Sequence, residues 1–254
     1  MPYFKSEDLA KFQENLDTIE SRYSRLLLAF SHNHRFKKEI AWEYANQGFM
    51  RRVGTLRRCI ENVFSLIPPE TEKIPNRQVL YDAQINVQAF VANVYGSLDN
   101  LAWVWVYERE LEIQRNRVGL RVQNTELRGT LSEAFQRYLI SRDEWMEHVI
   151  EYRDSLAHRI PLYIPPGGVP PRDIDAYNEL SGRIREALYL KWDPPEYERL
   201  SAEQEKLLIF QPMMTHSVKE TTAHFPFHAQ MIADFLTVEE FGYKMLDELK
   251  RAAN

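Results

Sequence analysis

The sequence predicts an all-α protein, a bundle of long antiparallel helices with an irregular proline-rich insertion that has room for a short β-hairpin. Three observations carry this. Apolar residues recur at three- and four-residue steps over long stretches. Cap residues and prolines stand where those stretches should begin and end. The character then changes sharply at Pro161, where a run of prolines and glycines excludes helix. The 254 residues suffice for one large domain. Core helices are expected over about 6–160 and 223–252, and the insertion over about 161–222.

The first helix should begin at Ser6, an N-cap followed by two acids that suit the positive helix end. It carries Leu9, Phe12, Leu16, Ile19, Tyr23, Leu26, Leu27 and Phe30 on one face, and breaks at Ser31–His34. A second helical stretch runs from about Phe36 to Leu66 and is ended by Pro68-Pro69, with Gly48 and Gly54 as weak points. Within it Arg51, Arg52, Arg57 and Arg58 form the strongest local basic cluster. Charge runs of this kind are usually a solvated face; an RNA track is the alternative.

A third helix should follow Pro75-Asn76 and reach about Asn116, with Val87, Phe90, Val91, Val94, Leu98, Leu101 and Trp105 on a broad apolar face. Asp99, between Tyr95 and Ala102, reads as a half-buried acid. It is either a hydrogen-bonded core carboxylate or the partner of Arg153 or Arg142, because buried acids need partners. Residues 117–129 read as a loop. Thr130 then caps the next helix, with Glu133 completing a capping box. That helix should stop at His158 or Arg159, because Pro161 disfavours helical geometry at Ile160.

In the insertion, Asp173 or Asp175 can cap a helix to about Tyr189, and Ser201–Gln204 reads as a capping-box start. Leu207–Met214 suits a short strand paired with Leu162–Ile164, at an edge because of Pro212. A last helix, from about His224 to Arg251, carries Met231, Ile232, Phe235, Leu236, Phe241, Met245 and Leu249.

Net charge is −5, so the chain is not a globally basic nucleic-acid binder, and any RNA contact needs local positive charge. The single cysteine, Cys59, excludes an intrachain disulfide and fits a reducing compartment. The N-terminus does not resemble a signal peptide, and the most apolar run, Leu101–Tyr107, is far short of a membrane span. A cytoplasmic protein with no membrane contact is expected. His224 and His228 stand at i,i+4, but Pro226 lies between them and no His-Glu-x-x-His is present. There is no Gly-x-Gly-x-x-Gly and no P-loop, so neither metal nor cofactor is expected.

Two arginines interrupt the stripe of the helix ending near His158. Arg142 sits among Tyr138, Leu139, Trp145 and Met146; Arg153 sits among Val149, Ile150, Leu156 and Ala157. They lie eleven residues apart on almost the same face, about 16 Å along the axis. A guanidinium in an apolar stripe is costly unless paired or bordering a cleft where an anion binds. His158 lies about 140° round an ideal helix from Arg153.

The stretch Arg153-Asp154-Ser155-Leu156-Ala157-His158 resembles the Arg-x4-6-His signature of HEPN domains. Two further Arg-x4-6-His spacings exist, Arg25 to His32 and Arg142 to His148. The third is preferred for its place at a helix end, for Asp154 after the arginine and for the small Ala157 before the histidine. The resemblance implies an all-helical bundle. It also implies a metal-independent endoribonuclease that works as a homodimer, the motifs of two protomers meeting in one cleft.

On that reading His158 takes the 2′-hydroxyl proton, Arg153 clamps the phosphate, and Asp154 orients a partner side chain or contacts the other protomer. Asp99 and Arg142 support them. Products would be a 2′,3′-cyclic phosphate and a 5′-hydroxyl; an antitoxin or defence-system partner would be in keeping with the family. The alternatives are a non-catalytic helical module holding a nucleotide, RNA or protein partner, and a structural dimer with Arg153 as an interface ion-pair residue.

Overall fold

The computed structural model describes residues 3–217 and 224–253. The described chain is an all-α helical bundle with one two-stranded antiparallel ribbon. Its long helices are α1 (Ser6–Leu28), α3 (Met50–Leu66), α4 (Arg77–Glu108), α6 (Glu133–His158) and α9 (Phe227–Ala253). Shorter ones are α2 (Glu39–Glu43), α5 (Thr125–Arg128), α7 (Ile174–Arg185) and α8 (Pro194–Glu205). Helix α4 packs against α2, α3, α6 and α9, and α9 also packs against α1 and α3. The core these helices share includes Phe30, Phe49, Phe90, Leu101, Phe235 and Phe241, all buried.

Several boundaries differ from the sequence expectation. Lys5, not Ser6, is the N-cap of α1. The stretch expected as one helix over 36–66 is divided: a π-helical turn, Tyr44–Phe49, joins α2 to α3. Gly48 lies in that turn and lets Asn100 of α4 come close; a Cβ there would stand 2.7 Å from the Asn100 amide nitrogen. Asn76 caps α4 by accepting from Val79 N–H at 3.0 Å. The helix ends at Glu108 rather than near Asn116, because the chain turns at Glu110 with φ 51°.

Helix α6 begins after Ser132, not at Thr130. The Thr130 hydroxyl instead accepts from Trp105 Nε1 at 2.8 Å and donates to Leu127 O. Ser132 accepts from Phe135 N–H, and both its N–H and its hydroxyl donate to Glu248 of α9, at 2.5 and 2.7 Å. Glu248 is almost fully buried, so a distant acid fixes where the helix starts. The other end is as expected: α6 stops at His158.

In the insertion, Leu162, Ile164, Phe210 and Met214 join the main core, while α7 and α8 pack on each other around Leu180, Ala187 and Leu200. The second insertion helix starts at Pro194 under an Asp193 cap, so Ser201 lies inside it and caps nothing. The expected hairpin is redrawn as well. Strand β1 (Met213–Met214) pairs with β2 (Phe225–Pro226), while Tyr163 bridges to Thr215 and Gly168 to Ile209. The expected insertion boundary at 222–223 lies outside the described residues.

His224 precedes α9, so it does not share a helix face with His228. The His228 ring is buried among Phe4, Phe12, Phe64 and Phe227, and its Nε2–H donates to Ile67 O at 2.6 Å. Burial pushes its pKa down from 6.5 to about 4. The unfolded chain therefore binds a proton that the folded chain refuses, and stability is lost as pH falls from about 6.5 to about 4. The loss should reach about 3 kcal/mol. Urea unfolding at pH 7 and pH 4.5 should show a clearly shallower pH dependence for His228→Leu than for the wild type.

Candidate functional site

Helix α4 presents Asn93, Gly96 and Asn100 on one face, three and four residues apart, so they line up along the helix. Arg52 of α3 lies across them. Its Nε donates to Asn100 Oδ1 at 2.8 Å and its Nη1 to Asn93 Oδ1 at 3.0 Å. The guanidinium rests on Gly96, where a Cβ would overlap it. A glycine inside a helix weakens it by about 1 kcal/mol relative to alanine, and here the missing side chain is the seat of an arginine. Arg52 thus holds its charge half-buried on neutral acceptors, with no ion pair among the described residues.

Beside that face Tyr95 and Asp99 meet α6. The Arg153 guanidinium sits over the Tyr95 ring, 4.1 Å from its centroid, and its Nη1 pairs with Asp154 Oδ1 at 2.8 Å. Asp99 is half-buried, and loss of water pushes its pKa up to about 6. Arg153, then Arg52 and Arg121, pull it back down. At pH 7 Asp99 is mostly ionised and close to its proton-exchange range.

The structure therefore brings Arg153, Asp154 and Asp99 together. The coupling of Asp99 to Arg153 is electrostatic: no ion pair or hydrogen bond joins them among the described residues. Arg142 stands apart, with Nη2 on Glu240 of α9 at 2.8 Å and its guanidinium by the Tyr138 ring. Asp99 therefore holds neither arginine directly. His158, the last residue of α6, is exposed and makes no hydrogen bond among the described residues. Since α6 is unbroken from Arg153 to His158, the two side chains leave it about 140° apart.

Sequence reasoning missed Arg52, Asn93 and Asn100. Arg51 and Arg58 do face solvent, and Arg57 pairs with Glu20 and Glu61, but Arg52 points into the bundle. The available signal was Gly96, a helix glycine flanked on the same face by two asparagines.

Fold and site define the chain as an all-α bundle in which the half-buried Arg52 and Arg153 act electrostatically on a half-buried carboxylate, Asp99. No protein-family model, curated protein or solved structure matches it. Among the described residues no helix is long and apolar enough to cross a membrane, and no group of three metal-ligating side chains forms.

Because Arg153 is the largest charge effect lowering Asp99's pKa, removing it should raise that pKa above about 6. A carbon-detected NMR titration of the Asp99 carboxyl in wild type and Arg153→Ala measures this directly.

Proposed function

We propose that the chain is a HEPN-type endoribonuclease that cleaves RNA without a metal, at a site completed by two copies of the chain. The observation that carries this reading is the Arg153 guanidinium, half-buried over Tyr95 and beside the ionisable Asp99. Such a group suits an RNA phosphate: its planar fork binds phosphate oxygens, and partial burial strengthens the attraction. The 2′-hydroxyl attacks phosphorus as its proton passes to the His158 imidazole, and the bond to the 5′-oxygen breaks as that oxygen takes a proton from water. Because Arg153 and His158 diverge on one helix, the imidazole serving a given Arg153 is the partner protomer's.

The second reading is a non-catalytic module that binds RNA or a nucleotide. It is favoured by one fact: Asp154 is already paired with Arg153 of its own chain and so is not free to orient a base.

Incubation with RNA in EDTA should yield 2′,3′-cyclic phosphate and 5′-hydroxyl ends. Arg153→Ala and His158→Ala should each slow cleavage by about a hundredfold or more. Mixing the two inactive variants should restore about a quarter of wild-type activity, since half of the exchanged dimers carry one intact shared site. Cleavage at the wild-type rate by both variants overturns the assignment; binding with unchanged RNA ends selects the module.

A further inference from the structure

A cavity of about 300 Å³ opens between α4, α6, the β1–β2 ribbon and α9. Val94, Val149, Met214 and Phe225 supply apolar wall, and Asp234 of α9 supplies a carboxyl. That carboxyl is only 4% exposed. Its Oδ1 accepts from Trp145 Nε1 at 2.8 Å and from Gln230 Nε2 at 2.7 Å. Among the described residues its Oδ2 accepts no hydrogen bond, and no arginine or lysine pairs with it. Burial pushes its pKa up to about 6, yet at pH 7 most copies still carry the negative charge.

An ionised carboxylate taken out of water without a counter-ion is costly, and a positively charged partner relieves that cost. Glu144, also on the cavity lining, adds to the negative potential. The volume is at the small end for ligand pockets and suits one ring with a short head group. We propose that this cavity binds a small organic cation with a flat apolar body, an aryl amidine or arylalkylamine, its charged nitrogen on Asp234 Oδ2 and its ring against the apolar wall. The site shares none of the residues assigned to RNA, so it stands whether or not the chain cleaves RNA.

Calorimetric titration of the full chain at pH 7 with benzamidine, benzyl alcohol and benzoate tests this. Benzamidine should bind with a Kd of about a millimolar or tighter, the alcohol at least about tenfold more weakly, and benzoate not measurably. Asp234→Asn should weaken benzamidine at least about tenfold, and Val94→Phe, which fills the cavity, should do the same with the Asp234 carboxyl intact. Equal affinity for the three probes, or no benzamidine binding by the wild type at about ten times that Kd, overturns the proposal. If Asp234→Asn fails to fold, the comparison of probes on the wild type decides.

Discussion

Helix α4 runs through the middle of the bundle, and the cost of taking polar groups out of water along it governs the rest of the molecule. Thirty-two residues long and packed by four other helices, it is mostly buried from Phe90 to Val106. Asn93 and Asn100 therefore spend their amide oxygens on Arg52, Asn76 caps the first turn, and Gly96 gives up its side chain to admit the guanidinium. Asp99 is left half-buried without a direct ion pair, and its raised pKa is the result. The same desolvation makes it sensitive to every nearby arginine. The electrostatics of the candidate site follow from the packing of a single helix.

What was legible in the sequence is what local chemistry decides. Pro161 stops α6 at His158 whatever surrounds it, and Asn76 starts α4 by bonding its own chain three residues on. Boundaries set from far away were not legible. Thr130 is the better local cap, yet Trp105 claims its hydroxyl, while Ser132 gains a buried acid from a helix more than a hundred residues later. The need for a glycine at position 48 likewise comes from another helix, where Asn100 leaves no room for a Cβ.

The candidate site divides in the same way. An arginine with only apolar neighbours along its own helix stands out in the sequence, and Asp99 between Tyr95 and Ala102 stands out as a half-buried acid. Their approach across two helices could be expected from the need to compensate each other. Arg52 could not be chosen among four arginines of its run, because what distinguishes it is a space on α4. Asp234 carries a weaker sign, an acid one turn from both Met231 and Val238 on the buried side of α9. A chain pattern marks that acid as inward-facing, but only the closing of the ribbon and α6 over it makes a chamber.

The link between Ser132 and Glu248 reaches beyond static architecture. During synthesis α6 leaves the ribosome well before α9, so its first turn emerges without the carboxylate that will hold it. Until the last helix docks, the nascent α6 can fray at its leading end, and Arg142 lacks its Glu240 partner. The C-terminal helix thus supplies the carboxylates that hold both the first turn of α6 and an arginine on its stripe.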